Sequence, residues 1–218
     1  MRKSIALTNG SEMELNRIFC VGRNYTDHAK EMGEGGQEPP FFFLKPHTAL
    51  LETGQDFKLP RFSQNIHHEV ELVVALKGSG RNLNPKEASE LVYGVGIGLD
   101  MTARDMQSLA KSKGRPWDLS KGFDGSAICS SISPIKVDQI TNLEFILKKN
   151  GRVKQHGRAS DMIWSTSELI SELSHYIELK EGDLLFTGTP SGVGEVIRGD
   201  YLSASITNSD INLSFFIA

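Results

Sequence analysis

The dipeptide Asn150-Gly151 constrains this chain more than any other feature, because both residues tolerate positive φ and together form the tight turn that closes a β-hairpin. Ahead of it Leu143, Phe145 and Leu147 alternate with more polar positions, and Arg152 begins the returning strand, so antiparallel sheet is expected here. Other apolar segments are equally short and bounded by turn residues. Arg17–Val21 reads as a strand stopping at Gly22, Phe41–Leu44 as a strand after Pro39-Pro40, and residues 66–76 as strand. Tyr93–Leu99 is a small-residue strand ending at Asp100, Leu184–Thr187 follows the turn Glu181-Gly182-Asp183, and the tail alternates to Phe216. Helices separate some of these strands. Asn84-Pro85 with Glu87 supplies a cap, a first-turn proline and a capping-box partner for a helix to about Leu91. Thr102 and Asp105 open a second helix to about Ser112, and Ser165 with Glu168 caps a third through about Tyr176. No repeat or linker divides the 218 residues, which suit one large β-rich domain, 1–218.

Asn24 with Asp27 three residues later reads as a helix start, giving a short helix Tyr25–Met32 that ends in Gly33-Glu34-Gly35-Gly36. A stretch over about 24–38 that packs little and bends at glycines is how a hinged, mobile lid is encoded.

A formal charge of −3, with Lys and Arg scattered, gives no basic field for a phosphate backbone, so nucleic acid is not an expected partner. No apolar run approaches the roughly 18 to 20 residues that span a bilayer, and Met1-Arg2-Lys3 is not followed by a signal-type stretch. A cytoplasmic protein without membrane contact is expected. Cys20 and Cys129 lie far apart with no zinc-type spacing and read as ordinary buried thiols.

In Ile66-His67-His68-Glu69-Val70-Glu71-Leu72-Val73-Val74 the period of a strand places Glu69 and Glu71 on one face and Val70 and Leu72 on the other. Taken alone, the pair reads as the solvated outer face of an edge strand. Asp100 adds a third carboxylate at the end of a buried strand, and three carboxylates with open positions suit Mg²⁺. His67 falls on the face of Glu69, where an exposed or structural histidine is the commoner case. His28 and Glu31 are three apart on the lid helix, so the carboxylate can orient the imidazole for acid–base work, although spacing alone fits surface decoration as well. Lys121 reads either as a solvated lysine or as a buried ammonium beside the metal. The loop Thr187-Gly188-Thr189-Pro190-Ser191-Gly192-Val193-Gly194 offers backbone N–H groups to a carboxylate but lacks the Gly-Lys-Ser/Thr ending of a nucleotide loop.

Six ordered segments together resemble the fumarylacetoacetate hydrolase superfamily, in particular its small acylpyruvase and oxaloacetate decarboxylase branch. They are Cys20-Val21-Gly22-Arg23-Asn24-Tyr25, Phe43-Leu44-Lys45-Pro46, His67-His68-Glu69-Val70-Glu71, Leu99-Asp100-Met101-Thr102-Ala103-Arg104-Asp105, Lys121-Gly122-Phe123-Asp124 and the glycine-rich loop 187–194. The resemblance implies an α+β, β-rich fold: a mixed β-sandwich roll with short peripheral helices and a mobile N-terminal lid helix, assembled as a homodimer. It implies that Glu69, Glu71 and Asp100 hold Mg²⁺ or Mn²⁺, that His28 and Glu31 form the lid dyad and that Lys121 is the active-site lysine. It further implies that Gln107, Arg104, Thr189 and Lys45 line the substrate pocket. The implied activity is metal-dependent hydrolysis of a carbon–carbon bond in acylpyruvates, with oxaloacetate decarboxylation as a companion reaction through the same metal-bound pyruvate enolate. The alternative is an isomerase, hydratase or keto–enol tautomerase of a 2-oxo diacid, such as a 2-hydroxymuconate or oxaloacetate. A module that merely captures an oxo acid would have no need of His28 and Glu31.

Overall fold

The computed structural model describes residues 3–26, 39–52 and 54–218. In chain order its strands are β1 (Ser4–Ala6), β2 (Glu12–Glu14), β3 (Ile18–Gly22), β4 (Phe41–Lys45), β5 (Ile66–His68), β6 (Val70–Leu76), β7 (Val92–Asp100) and β8 (Thr102–Ala103). They continue as β9 (Ala127–Cys129), β10 (Ser133–Pro134), β11 (Glu144–Lys149), β12 (Arg152–Arg158), β13 (Leu184–Phe186), β14 (Gly194–Val196), β15 (Tyr201–Ile206) and β16 (Asn212–Phe216). The described α-helices are α1 (Pro85–Glu90), α2 (Arg104–Ser112), α3 (Asp118–Lys121), α4 (Val137–Ile140) and α5 (Thr166–Tyr176).

A seven-stranded sheet runs β10-β7-β6-β13-β3-β4 with β9 also on β7, and a four-stranded sheet runs β12-β11-β15-β16. β6 explains why both faces of the large sheet are covered. Val70, Leu72, Val74 and Leu76 point to one side and share a core with Phe145 and Leu147 of β11, Leu202 of β15 and Leu169 of α5. Val73 and Ala75 point to the other side and pack with Cys20, Phe186 and the β1–β2 hairpin residues Ile5 and Met13. Each of the larger side chains among them, Val, Leu, Ile, Phe or Met, contributes about 1.5–3 kcal/mol on full burial, so the two-sided core fixes the register of β6. The product is the curled, β-rich sandwich roll that the resemblance implied, with its helices outside.

Local signals place several elements where expected. Asn150 and Gly151 adopt φ of 52° and 77°, and β11 pairs with β12 across them. Both capping boxes form, Asn84 with Glu87 before α1 and Ser165 with Glu168 before α5. Two expectations need correction. The run 66–76 is two strands, because β5 pairs with β14 and β8 whereas β6 pairs with β13 and β7, so the chain changes sheet at Glu69. Helix α2 starts at Arg104, since Thr102 and Ala103 are drawn into β8 opposite His67 and Ile66. The Asn24 side-chain amide, expected at the start of the lid helix, donates to the carbonyls of Trp164 and Thr187 and accepts from the Trp164 N–H. The lid helix, with His28 and Glu31, lies outside the described residues. Among the described residues no helix is long and apolar enough to cross a membrane.

Candidate active site

The site forms where β6 and β7 run out together. Their antiparallel register sets Val70 opposite Leu99 and Glu71 opposite Gly98, and the Asp100 N–H donates to the Glu69 carbonyl at 2.8 Å. Glu69, Glu71 and Asp100 thereby share one side of the strand ends, and one carboxylate oxygen from each lies within 4.8 Å of the others. All three are buried, at 5%, 1% and 1% exposure, so the solvated-face reading of the two glutamates is wrong. Gly98 keeps the approach open, since a Cβ there would come within 2.6 Å of the Val73 side chain and of the Ile128 carbonyl.

Three buried like charges need compensation, and cations from three elements supply part of it. Lys121, at the end of α3, donates to Glu69 Oε2 at 2.7 Å, Asp100 Oδ2 at 2.6 Å and the Thr102 hydroxyl at 2.7 Å. Burial pulls its ammonium down, but Asp100 and Glu69 outweigh that and hold it above the ordinary lysine value. Lys45 approaches Asp100 Oδ1 at 2.7 Å and is also bound by the Lys121 carbonyl. Arg104 pairs with Glu69 Oε1 and donates to Gln107 Oε1 at 2.6 Å. Glu71 has the N–H of Gly188 on its Oε2 at 2.7 Å. Gly188 sits at φ 101°, and a Cβ there would reach Asn24 Cβ at 2.7 Å, so the glycine loop brings its backbone in close. The carboxylate that this amide receives is the protein's own.

Burial, then Asp100 and Glu69, push Glu71 well above its ordinary value of 4.5, against the pull of Gly188 and Lys121. Because the folded value is the higher one, this group's contribution to stability is full below pH 4.5 and is lost as pH rises through the raised value. A divalent cation needs the ionised form, so Mg²⁺ uptake just above pH 4.5 is expected to release a proton. Calorimetry in two buffers of different ionisation enthalpy checks this; heats independent of buffer would contradict it.

Of the other candidates, Arg104, Gln107, Lys121 and Thr189 line the cleft beside the three acids, whereas Lys45 lies behind it, sealed from solvent. The Thr189 hydroxyl donates to the Val70 carbonyl and accepts from Gln155 Nε2. His67 and His68 stay outside the carboxylate group. Burial and then the Arg104 charge push His67 down to about 4, and His68 Nδ1 contacts Gln155 Oε1 at 2.9 Å. Sequence reading passed over Gln155, which joins His68, the Val70 N–H and Thr189 beneath the site, and nothing local in β12 marks it. It also passed over Arg23 and Lys111, which line the same cleft, although Arg23 stands inside the segment Cys20–Tyr25.

Comparison with known proteins gives the same assignment from sequence and from shape. The chain is 42% identical over 203 residues to "Oxaloacetate decarboxylase, mitochondrial" of Dictyostelium discoideum, covering 92% of this chain and 93% of that one. It is 43% identical over 190 residues to "Oxaloacetate tautomerase FAHD1, mitochondrial" of Bos taurus, covering 87% and 86%. The crystal structure of fumarylpyruvate hydrolase from Pseudomonas aeruginosa in complex with Mn²⁺ and pyruvate superimposes with a TM-score of 0.95 at 37% identity, covering 100% of this chain and 96% of that one. With the family profile "Fumarylacetoacetate (FAA) hydrolase C-terminal" matching residues 17–212, the chain belongs to the fumarylacetoacetate hydrolase family.

Proposed function

We propose that this chain is a divalent-metal-dependent enzyme acting on oxaloacetate, interconverting its keto and enol forms and releasing CO₂ from it. The observation that carries the reading is the group of Glu69, Glu71 and Asp100, buried at the floor of a cleft with oxygens within 4.8 Å. An all-oxygen donor set suits Mg²⁺ or Mn²⁺, and the raised affinity of Glu71 for a proton marks a charge conflict that such a cation relieves. The relatives named for oxaloacetate support the substrate, and the Pseudomonas structure with Mn²⁺ and pyruvate supports the ion. When bound, the ion supplies Lewis acidity toward the keto oxygen of a 2-oxo acid.

The chain's own residues account for the rest. Lys121, kept charged by Asp100 and Glu69, sets a fixed positive charge where oxyanion character develops. Arg104 occupies the Gln107 carbonyl oxygen, which leaves the Gln107 amide nitrogen to donate to a substrate oxygen. Lys45 holds Asp100 from behind and is a positioning residue. His28 and Glu31 would move the proton at the carbon next to the keto group.

A second reading, hydrolysis of acylpyruvates with a water activated by His28 and Glu31, is favoured by the end-to-end match to fumarylpyruvate hydrolase. Both are tested by assaying oxaloacetate, acetylpyruvate and fumarylpyruvate with Mg²⁺, Mn²⁺ or EDTA, following enol absorbance and pyruvate release. Metal-dependent turnover of oxaloacetate is the expected result, and its absence would sink the first reading. His28→Ala should impair hydrolysis more than decarboxylation; equal losses would remove the water-activating role.

A further inference from the structure

Gln155, in β12, is buried at 1% exposure behind Thr189, which lines the cleft. Its orientation is fixed by partners that can each play only one role. Oε1 accepts from the Val70 N–H at 3.0 Å, and Nε2 donates to the Pro190 carbonyl at 2.9 Å. Nε2 also donates to the Thr189 hydroxyl at 2.8 Å. Oε1 lies 2.9 Å from His68 Nδ1, so the imidazole carries its proton on that nitrogen.

Each end of this amide reaches one of the acids through a single neighbour. At the oxygen end, His68 and Val70 flank Glu69, at the point where the chain leaves β5 for β6. A chain changing sheets has no continuous backbone ladder to set its direction there, and one oxygen holding both flanking residues clamps the backbone from which Glu69 projects. At the nitrogen end, Thr189 gives its own proton to the Val70 carbonyl at 2.8 Å, and the Thr187 hydroxyl donates to the Leu72 carbonyl at 2.9 Å. The two hydroxyls bracket Glu71, and the Gly188 N–H between them meets Glu71 Oε2 at 2.7 Å. Pairing of β13 with β6 ends at Phe186 opposite Val73, so beyond it these side chains, with the Thr187 N–H on the Leu72 carbonyl, hold the loop to β6.

Resting on the reading of Glu69, Glu71 and Asp100 as metal ligands, we propose that Gln155 is a positioning residue of the metal centre, a single amide that sets the Glu69 and Glu71 carboxylates relative to each other and thereby the affinity and symmetry of the bound ion. Its oxygen governs Glu69 through the strand break, and its nitrogen governs Glu71 through Thr189 and the glycine loop. Asp100 is placed separately, by the backbone bond to Glu69 and by two lysines. A small divalent cation demands near-ideal octahedral oxygens, so a slight shift of two ligands is felt as lost affinity.

The test is Mn²⁺ electron paramagnetic resonance on the native protein, on Gln155→Leu and on Ile5→Ala, a core variant in the β1–β2 hairpin, at a temperature where circular dichroism shows each of them folded. The free-ion signal gives the dissociation constant, and the line shape of the bound ion reports ligand symmetry. Gln155→Leu should weaken Mn²⁺ binding about 10- to 100-fold, the scale for losing a group that orients a metal ligand, and should alter the bound-ion line shape. Ile5→Ala should lower the melting temperature and leave affinity and line shape as in the native protein. If Gln155→Leu does not fold, Gln155→Asn decides, since it keeps the amide but is one methylene too short to hold both ends, and it should weaken binding in the same way. Native affinity and line shape in the folded Gln155 variant, or an equal loss in Ile5→Ala, overturns the proposal and leaves the three acids standing as ligands. Failure of the native protein to take up Mn²⁺ overturns both.

Discussion

Asp100→Asn is expected to abolish Mg²⁺ and Mn²⁺ uptake and to lower turnover by at least about a thousandfold, equivalent to about 4 kcal/mol of transition-state stabilisation. The substitution changes shape very little, so the loss is one of charge. Asp100 contributes one of three buried carboxylates and is also the residue that Lys45 and Lys121 both address. An amide presents a weaker donor to a hard cation and leaves those two ammonium groups facing an N–H₂ or a neutral oxygen. Glu69→Ala should act in the same direction. Isothermal titration with MnCl₂ reads the first effect directly, and near-native uptake by Asp100→Asn would show that the three acids are not the ligands.

Lys121→Met should produce the largest change in stability, because it leaves Glu69 and Asp100 buried beside Glu71 without the ammonium that bridges two of them. Breaking a buried pair from one side typically costs about 3–5 kcal/mol. For a chain of this size that corresponds to a fall in melting temperature of roughly 6–20 °C in EDTA. Added Mg²⁺ should recover more of the loss than it adds to the native protein, since the cation then relieves a greater repulsion. Activity should fall as well if Lys121 supplies the proposed positive charge toward a developing oxyanion. Thermal melts with and without Mg²⁺ settle the matter. An unchanged melting temperature in EDTA would mean that the acids do not depend on Lys121.

Both expectations arise from the way a buried charge is treated in this fold. Glu71 is held by a backbone N–H from the glycine loop, Asp100 by two lysines, and Glu69 by a lysine and an arginine. Such contacts orient each carboxylate while leaving lone pairs for an ion, and their loss ordinarily weakens metal affinity about 10- to 100-fold. Gln155 continues the arrangement one layer down, tying His68 and the Val70 backbone to Thr189.

The amino-acid sequence by itself determined what short-range chemistry governs. The Asn150-Gly151 turn, the capping boxes at Asn84 and Ser165, and the side-chain alternation of β6 depend on atoms a few residues apart. These features specify a β-rich chain, and they bring Glu69 and Glu71 to a common side. Only the tertiary structure decided that the chain breaks at Glu69 to join two sheets, that Asp100 is laid across from it, and that all three acids are buried. The same holds for Lys45 behind the cleft and for Arg23 and Lys111, which line it beside the rings of Phe41 and Trp117. The physical reason is one of range. Turns and caps are fixed by neighbouring backbone groups, whereas burial and charge partners are set by strand pairing between segments far apart in the chain, and no local pattern records which segments will meet.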